Sequence, residues 1–354
     1  MKKIAITVIV SLVLGLLAGC TGTTVIYQEN CGCETCPVQG GAPVPTETEP
    51  QVVTEGEQKL GLAIVGSAAD SKDGEVSFDV TVVAVTVDGD GVITACQVDS
   101  LGSKVAFDTE GNITTDLTAP IATKNELGDS YGMVAYGGAK HEWYQQAGAL
   151  SQYAVGKTVE ELKNGAIDET GYAPEGTDLA STATIYLGGY VSAIEKAVAN
   201  ATAVGSQAGD SLKLAITAKA DSSSSATAEK DGTAQLDVDA TALTVRDDVI
   251  TGCVIDSLQA KVNFNVQGGI TSDLTAPMST KNELGEQYGM VAWGGAKYEW
   301  NQQAANFANY VTGKTAQEVA GIAVTEGKPA EADLAATVTI AIGGFQALIA
   351  KALS

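Results

Sequence analysis

Residues 117–143, LTAPIATKNELGDSYGMVAYGGAKHEW, return almost unchanged as residues 274–300, LTAPMSTKNELGEQYGMVAWGGAKYEW. Equivalent positions are 157 residues apart, as Lys124 and Lys281 show. A repeat of this length and similarity indicates that one folding unit was duplicated. We therefore expect an α+β chain with two tandem copies of one small domain, each with a hairpin-rich antiparallel sheet and helices.

The repeat sets the domain boundaries outward from this stretch. The first copy is predicted at residues 60–200 and the second at 211–354, with a short Ala/Gly/Ser linker at 201–210. Residues 20–59 are rich in Pro, Glu, Thr and Gly, a composition that cannot bury a core and is typical of a flexible spacer.

The N-terminus has the layout of a secretory signal peptide, predicted at residues 1–19. A positive start, Met1-Lys2-Lys3, precedes an apolar run that ends in Leu17-Ala18-Gly19-Cys20. The run is short for a mature membrane span. Its end resembles the bacterial lipobox, which implies that Cys20 is lipidated and becomes the new N-terminus. The alternative is an ordinary signal peptide with a chance cysteine. With the lipid, the chain is anchored to the cell membrane on its extracytoplasmic side.

Charge and cysteine content limit the partners. The chain has 354 residues and a formal net charge of −23, which argues against binding nucleic acid. Cys31, Cys33 and Cys36 lie in the spacer, where disulfides or free thiols are favoured over a metal site. Cys96 and Cys253 occupy equivalent strand positions, and we interpret both as core residues.

Each copy groups its strands before its helices, which favours an α+β domain. In the first copy, residues 76–82 alternate apolar with small or polar residues, as a half-buried strand does. The turn Asp88-Gly89-Asp90-Gly91 leads to a returning strand at residues 92–98, and residues 104–108 suggest a third short strand. Amphipathic helices are predicted to begin near Trp143 and Trp300. Capping boxes start further helices at Thr158 and Thr315.

No catalytic constellation is visible. The single histidine, His141, is replaced by Tyr298 in the second copy, so a role that both copies share cannot need an imidazole. No phosphate-binding glycine motif follows a strand. The sequence therefore favours a protein that is not an enzyme.

The repeated loop contains polar residues that would normally diverge faster than the core. One interpretation is a ligand pocket, in which lysine supplies charge and aromatic side chains supply apolar surface. The other is a structurally demanding loop with an architectural Lys–Glu pair. The candidate ligand residues are Lys124, Asn125, Glu126 and Tyr131 in the first copy and Lys281, Asn282, Glu283 and Tyr288 in the second.

Residues 178–184, DLASTAT, resemble the D-x-x-S-G-A-T signature of bacterial extracytoplasmic FMN-binding domains. The resemblance implies FMN esterified to Thr184 by a flavin transferase, with Asp178 and Ser181 in the recognition motif. Thr182 replaces the glycine of the signature, and the second copy keeps only Asp333 and Thr339. The alternative is that these threonines are ordinary strand residues.

Two functions follow from these observations. The first is a membrane-anchored extracytoplasmic binding protein that carries FMN and exchanges electrons with a redox partner. The second is a non-catalytic surface lipoprotein that binds a small molecule or a partner protein, or serves as a scaffold, without flavin. A solute receptor for a transporter fits the anchor, but two similar units do not obviously form one asymmetric cleft.

Overall fold

The computed structural model describes residues 56–354, which lie within one compact unit. The strands are β1 (Glu57–Ser67), β2 (Glu75–Val87), β3 (Ile93–Ala106), β4 (Thr202–Gln207), β5 (Ser211–Lys219), β6 (Gly232–Arg246), β7 (Val249–Phe264), β8 (Val324–Thr325) and β9 (Lys328–Pro329). The helices are α1 (Lys124–Leu127), α2 (Trp143–Ala154), α3 (Val159–Ala166), α4 (Asp178–Thr182), α5 (Gly188–Ala199), α6 (Lys281–Leu284), α7 (Trp300–Val311), α8 (Ala316–Ala320), α9 (Ala332–Ala335) and α10 (Gly343–Ala352). Single turns of 3-10 helix follow α1 and α6, at Gly128–Tyr131 and Gly285–Tyr288.

Several sequence predictions lie outside the described residues. These are the signal peptide, the lipidation of Cys20 and the cysteines of the spacer, Cys31, Cys33 and Cys36. Within residues 56–354, no helix is both long and apolar enough to cross a membrane.

The strands form two main antiparallel sheets, which confirms the α+β prediction. The first sheet has the order β3-β2-β1-β4, and the second has the order β5-β6-β7. A small two-stranded ribbon pairs β8 with β9. Each main sheet is followed along the chain by helices that pack on one of its faces.

The alternation of side chains along β2 explains why the fold has four layers. Val76, Phe78 and Val80 point to a central core that both sheets share, and all three are buried. Val83 and Val85 point the other way, toward the helices of the first repeat. Successive side chains of a strand face opposite sides of the sheet, so a strand covered on both faces is apolar at most positions. The layers are therefore helix, sheet, sheet and helix.

The central core joins the two sequence repeats. It combines residues of β1 and β2, such as Leu62 and Phe78, with residues of β6 and β7, such as Leu236 and Leu258. At one end of it, the rings of Phe107 and Phe264 stack with centroids 3.7 Å apart and planes inclined by 7°. These two phenylalanines are equivalent residues of the repeats. The two repeats thus share one core and are not independent beads on a chain.

The turns next to these rings make reciprocal contacts. Gly74 donates its backbone N–H to the carbonyl of Gly268 at 2.9 Å, and Ala226 donates to the carbonyl of Gly111 at 2.9 Å. Gly111 and Gly268 are equivalent and have φ of 75° and 77°. A Cβ on either would lie within 2.8 Å of the opposite repeat. Glycine is required at both positions because the backbones approach closely in a left-handed conformation.

Two segments differ from the sequence predictions. The expected third short strand is the end of one long strand, since β3 and β7 continue without a break from the hairpin turn to Ala106 and Phe264. The expected linker at 201–210 contains β4, which pairs with β1 at the edge of the first sheet. Its small residues suggested a linker, but the edge of β1 supplies backbone hydrogen-bond partners, and Ser206 bonds Thr244 at 2.8 Å.

The helices match their predicted starts. α2 buries Trp143, Ala147, Leu150 and Ala154 on one face. Both predicted capping boxes are confirmed, because the Thr158 and Thr315 side chains accept from the backbone N–H three residues on. The glutamates at those positions accept from the threonine N–H in return.

Candidate functional site

The Thr-Lys-Asn-Glu segment of each repeat begins a one-turn helix. Thr123 caps α1 and Thr280 caps α6, each in a capping box with the following glutamate, Glu126 or Glu283. Asn125 donates its side-chain amide to the carbonyl of Val98 at 3.1 Å. Asn282 makes the equivalent bond to Ile255 at 2.9 Å. These contacts give the asparagine and the glutamate architectural roles.

A buried aspartate anchors each of these short helices. Asp99 accepts from the backbone N–H groups of Ser100 and Asn125, at 2.7 and 3.1 Å. Asp256 does the same with Ser257 and Asn282. Burial raises the pKa of both carboxyls, that of Asp256 to about 6, because the ionised form loses hydration that these bonds only partly replace.

The two glutamates also link the repeats through reciprocal ion pairs. Lys196 of α5 pairs with Glu283 at 2.5 Å, and Lys351 of α10 pairs with Glu126. Lys196 additionally donates to the carbonyl of Ile64, and Lys351 to that of Ile216. Each lysine therefore fastens its helix to a strand of its own repeat and to the capped helix of the other.

The lysines of the repeated segment lie against aromatic rings. The Lys124 ammonium is 5.2 Å from the ring centres of both Tyr131 and Trp143. In the second repeat, Lys281 is 5.3 Å from Tyr288 and 4.8 Å from Trp300. Burial lowers the pKa of Lys281, although nearby Asp239, Asp237 and Asp256 oppose that shift. Such cation–π contacts stabilise a half-buried ammonium, and ligand binding by these lysines stays a prediction.

Tyr131 and Tyr288 differ although their positions are equivalent. The Tyr131 side chain is 39% exposed. The Tyr288 hydroxyl instead donates to the side-chain oxygen of Gln259 at 3.1 Å, and burial raises its pKa. The two lysine–tyrosine pairs therefore face different surroundings.

A buried glutamate holds the glycine-rich part of each repeated loop. The carboxylate of Glu142 accepts from the backbone N–H groups of Met133 and Val134, at 2.8 and 2.9 Å. Glu299 holds Met290 and Val291 in the same way. Both glutamates also cap the helix that follows. A single carboxylate thus fixes the loop and begins the main helix.

The flavin-like motif lies in α4 and the turn after it. Asp178 is the first residue of α4, and its carbonyl accepts from the Ser181 hydroxyl at 2.6 Å. Thr184 is exposed, and its hydroxyl and backbone N–H both donate to the side-chain oxygen of Gln146, at 3.2 and 2.8 Å. In the second repeat, Asp333 lies in α9 and is exposed. Thr339 makes the same pair of bonds to Gln303.

Thr182, which replaces the glycine of the signature, is the last residue of α4. Its backbone is not among the positive-φ positions, so a β-branched side chain causes no strain there. An ester at the Thr184 hydroxyl would cost one of the bonds to Gln146 and leave two from backbone N–H groups. The turn after α4 would thus keep its two backbone bonds to Gln146 if the hydroxyl were modified. Thr339 makes the same bonds to Gln303, as a structural role for both threonines requires.

Of the two cysteines that the sequence predicts as core residues, Cys253 belongs to the core of the second repeat, whereas Cys96 packs against the core of the first. Cys253 is buried, Cys96 is half-buried, and neither forms a disulfide. Burial raises the pKa of each thiol to about 12, which disfavours the reactive thiolate. Within residues 56–354, no group of three or more His, Cys, Asp or Glu side chains is placed to hold a metal ion.

A cleft of about 400 Å³ lies where the two repeats meet. The first repeat contributes Leu62 and Asn200, and the segment that leads into the second contributes Thr202 and Val204. The second repeat contributes residues of β7, α6 and α7. These are Cys253, Val254, Ile255, Asp256, Asn282, Glu283, Asn301, Ala305, Ala308 and Asn309. The volume lies within the range of roughly 300–1,000 Å³ that is typical of small-molecule sites.

The α7 side of the cleft differs from the matching face of α2. Asn301 and Asn309 of α7 correspond to Tyr144 and Gln152 of α2. The Tyr144 hydroxyl donates to Asp129 at 3.2 Å. The Asn301 side-chain oxygen is buried and has no hydrogen-bond partner among the described residues. The second repeat therefore presents an unsatisfied polar group where the first presents a satisfied one.

The residues that organise these sites were not among those predicted from the sequence. They are an aspartate and a glutamine that both repeats keep, Asp99 and Gln146 in the first and Asp256 and Gln303 in the second. This identity was the available signal. Asn301 carried no such signal, since it differs from its equivalent. No protein-family model, no curated protein and no solved structure matches this chain.

Proposed function

We propose that the protein is a lipid-anchored extracytoplasmic binding protein that holds a small molecule in the cleft between its repeats. The observation that carries the proposal is the cleft itself, which has a volume of about 400 Å³ and is lined by both asparagine side chains and apolar side chains. Small-molecule sites typically combine apolar surface with a few polar groups in this way. The anchor at Cys20 would keep the site at the membrane surface.

We infer that the two repeats are tandem copies of one domain, because equivalent residues contact each other reciprocally across the shared core. The stacked Phe107 and Phe264 and the crossed lysine–glutamate pairs support this inference. Self-complementary contacts of this kind characterise two-fold interfaces between identical units.

A flavin carrier is the second candidate function. The exposed position of Thr184 favours it, since a transferase could reach the hydroxyl from solvent. The cleft does not suit the cofactor's phosphate, because its lining contains two carboxyl groups and neither lysine nor arginine. Covalent FMN would therefore be held outside the cleft, near α4.

A tryptophan that fills the cleft tests the proposal. Ala305 lines the cleft and is exposed, and Ala305→Trp should fill the cleft without breaking a side-chain hydrogen bond. Gly148→Trp is the matched control at the equivalent position of α2, where a Cβ meets nothing within 4 Å. Ligand-observed NMR with neutral sugars, amino acids, nucleosides and FMN would measure binding. We expect a ligand that binds the wild type and Gly148→Trp but not Ala305→Trp; binding that survives Ala305→Trp contradicts the proposal.

A further inference from the structure

We propose that the cleft ligand is an uncharged, hydroxyl-rich molecule of the size of a monosaccharide or disaccharide. This inference rests on the proposed function and names the class of ligand that the same cleft takes. It follows from the side chains that line the cleft, their fixed orientation and their charge.

Four asparagines supply most of the hydrogen-bonding groups. They are Asn200, Asn282, Asn301 and Asn309. A side-chain amide offers donors and an acceptor together, as a hydroxyl group does. A ligand with several hydroxyl groups can therefore satisfy each amide in more than one orientation.

Two of these amides are fixed before any ligand binds. Asn200 donates to the carbonyl of Leu62 at 3.0 Å, and Asn282 donates to the carbonyl of Ile255 at 2.9 Å. Fixed polar groups bind more tightly because less conformational entropy is lost on binding. The four asparagines lie on α6, on α7 and just after α5, so they approach from several directions. This arrangement matches hydroxyl groups distributed around a ring better than groups along an extended chain.

The charges of the lining exclude phosphate and carboxylate ligands. Asp256 and Glu283 are its only ionisable side chains besides the buried Cys253 thiol. Glu283 is paired with Lys196 at 2.5 Å, so that ammonium is already engaged. Asp256 already accepts two backbone N–H groups. An anion would meet unfavourable charge here, whereas an uncharged ligand would not.

Apolar side chains complete the site. Leu62, Val204 and Val254 line the cleft together with the amides. Specific small-molecule sites combine apolar surface with a few fixed polar groups. The C–H surface of a sugar ring suits the aliphatic part, and its hydroxyl groups suit the asparagines.

Calorimetric titration of the protein with matched sugars tests the ligand class. The probes are glucose, galactose, N-acetylglucosamine and maltose, each compared with a phosphate or uronate derivative of its ring. We expect at least one neutral sugar to bind, and its anionic derivatives to bind at least about tenfold more weakly. An amino derivative and a capped dipeptide serve as cationic and neutral amide comparisons.

Substitutions on α7 and α2 test whether the sugar binds in this cleft. Asn301→Leu should weaken sugar binding about tenfold or more, since it removes one of the amide side chains that line the cleft. Tyr144→Leu, at the equivalent position, should leave it unchanged. Should Asn301→Leu not fold, Asn309→Ala on the exposed end of α7 provides the same comparison.

The outcomes distinguish the two proposals. If an anion, an amine or the dipeptide binds better and Ala305→Trp abolishes that binding, the ligand class is wrong and the cleft stands. If a sugar binds Ala305→Trp as tightly as the wild type, both are wrong. If no neutral sugar binds the wild type, the ligand class is overturned.

Discussion

The ring of Phe107 lies flat on the ring of Phe264, its equivalent in the other repeat, with centroids 3.7 Å apart. Both side chains belong to the central core, which contains strands of both sheets. The contact therefore makes the stability of each repeat depend on the other. Since each ring is buried among residues of both repeats, neither repeat has a complete core alone.

Phe264→Ala should destabilise the whole described region by about 3–5 kcal/mol, because it leaves a cavity in the shared core. Urea unfolding followed by circular dichroism should still show one transition, since the sheets lose their packing together. Tyr136→Ala is a suitable control, because that ring is 91% exposed. Two separate transitions in the wild type would show that the repeats unfold independently.

The buried carboxyl of Asp256 should make stability depend on pH. Its folded pKa of about 6 lies above the ordinary aspartate value of 3.8, so the folded state holds its proton more strongly. The stabilisation is complete below about pH 4 and is lost as pH rises through 6. Lys281 and Glu283 also act on this carboxyl and oppose each other in sign.

Asp256→Asn should remove this dependence. Between pH 4 and 7, the wild type should lose on the order of 3 kcal/mol relative to the variant, as measured by urea unfolding at each pH. Asp333→Asn, at an exposed carboxyl, is the matched control. Its free energy of unfolding should change with pH in the same way as that of the wild type. If the free energies of unfolding of the wild type and Asp256→Asn differ by the same amount at every pH, the Asp256 carboxyl has the same pKa in the folded and unfolded states.

Glu299 should determine the order of the loop before α7. In Glu299→Gln, one of the two carboxylate oxygens becomes a donor, so Met290 or Val291 loses its acceptor. We expect a loss of about 1–3 kcal/mol in local stability. Hydrogen exchange of these two amides should be faster, whereas exposed Glu286→Gln should leave them protected. If the two amides exchange at the same rate in Glu299→Gln as in the wild type, the turns of the loop and not the carboxylate keep it ordered.

Covalent flavin predicts a yellow protein when the chain is produced in a host with the transferase. The colour should persist through denaturation and disappear in Thr184→Ala. Thr339→Ala is the matched control, since Thr339 makes the same bonds to its glutamine. A colourless wild type with the mass of lipid and polypeptide alone would remove the flavin function. Retained colour in Thr184→Ala would place the attachment elsewhere.

Local features of the fold could be predicted from the sequence because they depend on neighbouring residues. The capping boxes at Thr158 and Thr315, the turn at Asp88 and the buried stripe of α2 are examples. The packing of the two repeats could not be predicted in this way. Continuous apolar runs such as that in β2 show that both faces are covered, but not which element covers each face.

The candidate site was harder to predict for the same reason. Asp99 and Asp256 lie within long strands, and only the structure shows that they anchor helices about 26 residues further along the chain. The cleft joins Leu62 to Asn309, which no local pattern connects. The repeated loop drew attention to conserved polar residues, whereas the unpartnered oxygen lies on Asn301, a position where the repeats differ.

The crossed pairs of Lys196 with Glu283 and Lys351 with Glu126 have a consequence for how such a chain can change. In a homodimer, every substitution would occur on both sides of the interface at once. Under the duplication that we propose, covalent fusion lets one side vary while its counterpart continues to hold the scaffold together. Asn301 and Tyr144 show such a divergence. Because only one of the two equivalent positions carries the asparagine, we expect binding to saturate at one ligand per chain, not two.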